Sequence, residues 1–137
     1  AAKLTPPDEL PDEEFPIVLT TGRMLEHWHT GAMTRRAETL NGLEPIPVVS
    51  INPHQMGEIG VGPGDIVQIE SRRGIIDIRV RADRDVPDGM VFIPFCFHEA
   101  AANILTNPQL DPVGKIPEFK FCAVRVTPIN AVSVAAE

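Results

Sequence analysis

Short apolar runs broken by glycine and proline dominate the chain. Ile17-Val18-Leu19-Thr20 is a continuous apolar run of the length of a buried strand, and Gly22 stops it. Pro47-Val48-Val49-Ser50-Ile51 predicts a second strand. Asn52-Pro53 places proline directly after a capping residue, which predicts a short helix from Pro53 to Ile59 ending at Gly60. After the turn Gly62-Pro63-Gly64-Asp65, a strand is expected at Ile66–Ser71. In the next run Ile76, Ile78 and Val80 alternate with Asp77, Arg79 and Arg81. With Arg73-Gly74 as the tight turn, residues 66–81 predict an antiparallel hairpin. Pro87-Asp88-Gly89 precedes a strand at Met90–Ile93 that Pro94 ends, and residues 98–106 read as one or two helical turns. A last strand is expected through Phe121–Val126. About six short strands with two small helices predict a mostly-β barrel.

Between the first two strands, Arg23 to Arg36 is polar, glycine-punctuated and rich in His, Thr and Met. Residues 1–15 hold Pro6, Pro7 and Pro11 among acids, so they read as an acidic, proline-rich interdomain linker that is poorly ordered alone. That leaves one domain over 16–130 and a tail over 131–137. A chain of 137 residues with 43% hydrophobic content fits one core. The missing initiator methionine suggests an excised piece.

Charge narrows the function classes. The formal net charge of −7 opposes nucleic acid as a partner. The lead supplies much of it, with Asp8, Glu9, Asp12, Glu13 and Glu14 against Lys3. Five arginines between Arg72 and Arg84 read as a solvated strand face turned away from any ligand. No apolar stretch nears the roughly 20 residues that span a bilayer, so no membrane insertion is expected. Cys96 and Cys122, among aromatic and small residues, read as buried hydrophobes.

Two stretches carry a family resemblance. Leu19-Thr20-Thr21-Gly22-Arg23-Met24-Leu25-Glu26-His27-Trp28-His29-Thr30-Gly31-Ala32-Met33-Thr34-Arg35-Arg36 resembles the opening of the C-terminal domain of the dimethyl-sulfoxide-reductase superfamily. Phe119-Lys120-Phe121-Cys122-Ala123-Val124-Arg125-Val126 resembles its closing strand. His98-Glu99-Ala100-Ala101-Ala102-Asn103, Leu110-Asp111-Pro112 and Lys115-Ile116-Pro117-Glu118 resemble the formate dehydrogenase branch more than the periplasmic nitrate reductases. The resemblance implies a double-psi β-barrel with short helices. It also implies a bis(molybdopterin guanine dinucleotide) cofactor carrying molybdenum or tungsten.

Such a cofactor is long and polyanionic, and needs backbone N–H groups, small residues and fixed cations. Thr21, Gly22 and Arg23 suit that demand: glycine permits close approach, and arginine offers a planar fork of donors. The competing reading is an ordinary strand-to-loop turn. Met24, Leu25, Glu26, His27, Trp28, His29 and Thr30 continue the expected cofactor contact. His27-Trp28-His29 could also be a satisfied polar loop, and a zinc site would need further ligands. The resemblance adds Asn103 for edge recognition and Lys120 as a point charge. Phe95 matches a substrate-funnel aromatic, with a core phenylalanine as the alternative.

Catalytic residues, metal ligands and a Cys-x2-Cys-x2-Cys iron–sulfur pattern are missing here. The reading is therefore a cofactor-gripping domain of a formate dehydrogenase, inactive alone. Its partners are the remaining domains of a catalytic subunit, which hold an iron–sulfur cluster, and electron-transfer subunits. A cytoplasmic enzyme is preferred over a periplasmic one. The alternatives are the same domain of a nitrate reductase, or a freestanding barrel acting as an interaction module.

Overall fold

A computed structural model describes residues 4–129; the expected tail over 131–137 lies outside the described residues. Six strands close into one barrel: β1 (Ile17–Gly22), β2 (Val48–Ile51), β3 (Ile66–Ser71), β4 (Gly74–Ala82), β5 (Met90–Pro94) and β6 (Cys122–Pro128). Around the wall they run β1-β5-β2-β4-β3-β6. The pairs β1/β5 and β2/β4 are parallel, and the remaining four are antiparallel. This is a double-psi β-barrel, and closure leaves it no open sheet edge.

Alternation along each strand fills the interior. In β4, Ile76, Ile78 and Val80 are buried while Asp77 and Arg79 are exposed, as the period of two demands. Leu19, Val49, Ile51, Val67, Ile69 and Ile93 are fully buried beside them. Each such side chain contributes roughly 1.5–3 kcal/mol on leaving water. The helix α2 (Pro53–Ile59) starts where Asn52 accepts a bond from the His54 amide and stops at Gly60, whose φ of 82° is left-handed.

Other expectations need correction. The helical turns foreseen over 98–106 shrink to a 3-10 turn at Ala102–Ile104, because Ala101 is extended. A helix not foreseen, α1 (Glu38–Leu43), follows a 3-10 turn at Thr34–Arg36. Residues 4–15 form no helix or strand, yet they are tied down rather than loose. Phe15 is buried. The Glu9 carboxylate accepts bonds from both Arg73 terminal nitrogens and from the Ala123 amide, and Arg72 lies beside it. Asp12 pairs with Arg72.

Register gathers the important loops at one barrel end. Gly22 lies opposite Pro94, so β1 and β5 finish together, and Leu19 opposite Cys122 puts the start of β6 there too. The β3–β4 hairpin turns at the same end, because Glu70 pairs with Arg125. The segment carrying Asn103 crosses this hairpin tip: Arg73 Nε donates to the Leu105 carbonyl, and Ile104 packs on Gly74.

Candidate functional site

Where β1, β5 and β6 meet, Arg23, His29, Phe95, Phe119 and Lys120 enclose an open cavity of about 540 Å³. Its two aromatic rings come from the segments that follow β5 and precede β6. Its cations come from both sides, Arg23 from the end of β1 and Lys120 from before β6. Among the described residues neither Arg23 nor Lys120 has a carboxylate partner. Lys120 Nζ donates to the Thr21 carbonyl at 3.2 Å and lies 5.8 Å from the Phe119 ring centre. The cavity therefore presents positive charge beside flat apolar faces, which suits an anionic group joined to a ring system.

The expected residues divide into several roles. Thr21 is buried, and its hydroxyl donates to the Phe119 carbonyl at 2.6 Å, tying β1 to the segment before β6. Gly22 is small for a packing reason: a Cβ there would stand 2.7 Å from the Phe92 ring. Its carbonyl accepts the Phe95 amide, which fixes one cavity wall to the end of β1. Met24 receives the Cys96 thiol at 3.3 Å. Burial pushes that thiol up to about 11, so Cys96 stays neutral near pH 7.

His27 is a core residue of the loop. It is 2% exposed, Nδ1 lies 3.3 Å from the Thr34 hydroxyl, and Nε2 lies 2.8 Å from the Glu44 carbonyl. Both ring nitrogens are engaged, so of the two readings of this side chain the geometry supports the satisfied polar loop. Its ring meets Phe97 edge-on at 5.6 Å. Trp28 is the opposite case, 59% exposed and set edge-on to the His29 ring at 4.5 Å. His29 itself has a φ of 49°, a left-handed conformation uncommon outside glycine. Leu25 is 96% exposed, Glu26 is half-buried and Thr30 is exposed. Thr30 faces a neighbouring hollow with Gly31, Arg35, Arg36 and His98. Asn103 is exposed at the same barrel end but does not line the cavity; its carbonyl accepts the Thr106 hydroxyl.

Four contributors carry no assigned role in the sequence reading. Phe119 walls the cavity, its one signal being its place beside Lys120. Arg35, Phe97 and Glu99 brace the loop from outside. Arg35 donates two bonds to Glu99, at 2.6 and 2.7 Å, and its guanidinium lies 4.8 Å over the Phe97 ring. The hydrogen-bonded Arg35 holds the Glu99 carboxyl down to about 2. No spacing rule joins residues 64 positions apart.

The family described as "Molydopterin dinucleotide binding domain" matches residues 17–123. The chain belongs to that family. This domain is 47% identical over 118 residues to the "F420-dependent formate dehydrogenase subunit alpha" of Methanocaldococcus jannaschii. It is 43% identical over 123 residues to the "F420-dependent formate dehydrogenase 1 subunit alpha" of Methanococcus maripaludis. These matches take in 86% and 90% of the chain but only 18% of either relative, so the chain spans under a fifth of those subunits. Acetylene hydratase from Pelobacter acetylenicus shares the fold, with a TM-score of 0.76 at 17% identity over 85% of this chain and 19% of that chain. A molybdopterin cofactor fits the donor set: two cations without carboxylate partners among the described residues, two aromatic walls and an exposed indole. No helix among the described residues is long and apolar enough to cross a membrane.

Proposed function

We propose that this domain grips the dinucleotide end of a bis(molybdopterin guanine dinucleotide) in the catalytic subunit of a formate dehydrogenase. When bound, that cofactor, carrying molybdenum or tungsten, supplies the two-electron oxidation of formate to carbon dioxide. The domain's own residues bind, orient and shield. Arg23 and Lys120 meet the pyrophosphate charge, and His29 lies beside them as a further donor. Trp28 offers its flat face and its indole N–H to a ring. Asn103, farther along the same barrel end, reads a guanine or pterin edge. Thr21, Gly22, Met24 and His27 hold these groups in place, while Leu25, Glu26 and Thr30 form the outer lip of the loop. Phe95 is a cavity wall here, in line with a place beside the path of substrate.

The observation that carries this reading is the cavity with two cations left without carboxylates among the described residues. The identity to two formate dehydrogenase alpha subunits favours formate over nitrate, and favours both over a freestanding interaction module. Residues 1–15 serve as the connector from preceding domains, docked at Glu9. The iron–sulfur cluster and the contacts with electron-transfer subunits belong to other parts of the enzyme. The test is the molybdenum and tungsten content of the purified enzyme carrying Arg23→Ala and Lys120→Ala. A clear fall with the barrel still folded is expected, whereas full metal content would overturn the proposal.

A further inference from the structure

The loop that supplies Arg23, Trp28 and His29 has no strand or helix before Thr34. Short-range bonds run from the Gly31 amide to the Trp28 carbonyl and the Arg35 amide to the Gly31 carbonyl, each at 2.9 Å, and from the Arg36 amide to the Met33 carbonyl at 3.1 Å. The Thr34 hydroxyl meets the Trp28 amide at 3.0 Å and His27 Nδ1 at 3.3 Å. These bonds leave the two residues with positive φ, His29 and Gly31, to be steadied by a tie to the facing segment. Arg35 supplies one. Its side chain crosses Gly31 so closely that a Cβ there would meet Arg35 Cγ and Cδ, and the Cys96 carbonyl, each at 2.8 Å. The guanidinium then passes over Phe97 and closes a two-pronged ion pair with Glu99. Phe97, 2% exposed, is the shared platform, with His27 edge-on and Arg35 above it.

These contacts join the two sides of the cavity. Arg23 and His29 come from the loop that Arg35 closes. Phe95 comes from the segment that Phe97 and Glu99 continue. Arg35 itself is not among the cavity's lining residues, so any effect it has on binding is indirect. We propose that Arg35, locked by Glu99, is a positioning residue that sets the spacing between the loop wall and the Phe95 wall. Its functional consequence rests on the reading of this cavity as the cofactor site. Arginine is required for the fork and the stacking, and lysine offers a single point charge.

Trp28, the only tryptophan in the sequence, reports on the loop directly. The experiment uses the intact chain, acrylamide quenching of Trp28, and guanosine diphosphate as the cavity probe. Arg35→Ala and Glu99→Gln should raise quenching and weaken nucleotide binding while circular dichroism stays that of a folded barrel. Arg35→Lys should fall between wild type and Arg35→Ala. If Arg35→Ala fails to fold, Glu99→Gln decides alone, since it keeps the size of the side chain. Unchanged quenching in Glu99→Gln overturns the proposal. A wild-type chain that ignores the nucleotide counts against the cofactor reading instead, and the quenching still judges the latch.

Discussion

Two groups of cations sit at the same end of this barrel and have opposite fates. At the hairpin tip, Arg72 and Arg73 are covered by the acidic lead, with Glu9 12% and Arg73 23% exposed at the side chain. At the β1–β6 junction, Arg23 and Lys120 face an open cavity with no carboxylate among the described residues. Counting positive charge along the chain would favour the arginine-rich hairpin. Pairing separates the two groups: a cation already neutralised holds structure together, and the proposed site uses the two left without a carboxylate among the described residues. Of the remaining hairpin arginines, Arg81 pairs with Glu44 at 2.5 Å, while Arg79 donates only to the Gly64 carbonyl at 2.7 Å.

The comparison is broken most forcefully at Glu9. Glu9→Ala strands Arg73 and the Ala123 amide and leaves Arg72 only Asp12, and should cost about 1.5–3 kcal/mol in chemical denaturation. Binding in the cavity should survive. The Arg73 contact holds the Glu9 carboxyl below its ordinary value of 4.5, so its stabilisation is present above that pH. It should drain away as pH falls below 4.5 through the lowered value. A stability change of under about 0.5 kcal/mol, the scale of an inert surface substitution, would show the lead to be loose after all.

Gly22→Ala tests the other region's packing. The added methyl meets the Phe92 ring, and overpacking of this kind costs about 1–3 kcal/mol. A melt unchanged from wild type would return Gly22 to the role of a ligand-approach glycine. Smaller again is the combined Arg79→Gln and Arg81→Gln change. Exposed pairs contribute about 0–1 kcal/mol, so stability should barely move and cofactor content should stay normal. Collapse of bound metal in that variant would relocate the site to the hairpin face.

What could be read from sequence follows from the range of the forces involved. The strands of the hairpin, the Asn52 cap and the left-handed Gly60 are local consequences of periodicity, side-chain capping and glycine geometry. The resemblance found the strand ends bearing Arg23 and Lys120. It also named His27 as a cofactor contact by side chain or main chain, and both of its ring nitrogens are engaged within the domain. Helix α1 escaped notice because Ala37 gives it no side-chain cap and Gly42 interrupts it. The Glu9–Arg73 clamp and the Arg35–Glu99 latch each join residues 64 positions apart. Only the closed barrel brings such partners together.

Guanosine diphosphate carries the guanine and pyrophosphate of the cofactor's nucleotide half, so its affinity tests the account most directly. It should be titrated against wild type, against Arg23→Gln with Lys120→Gln, and against Arg72→Gln with Arg73→Gln. Losing a charge-assisted contact worth about 1.5–3 kcal/mol predicts at least a tenfold weaker affinity in the first variant. The second should bind like wild type although its fold is less stable. Equal losses in both variants, or no loss in the first, would contradict the claim that the unpaired cations mark the site.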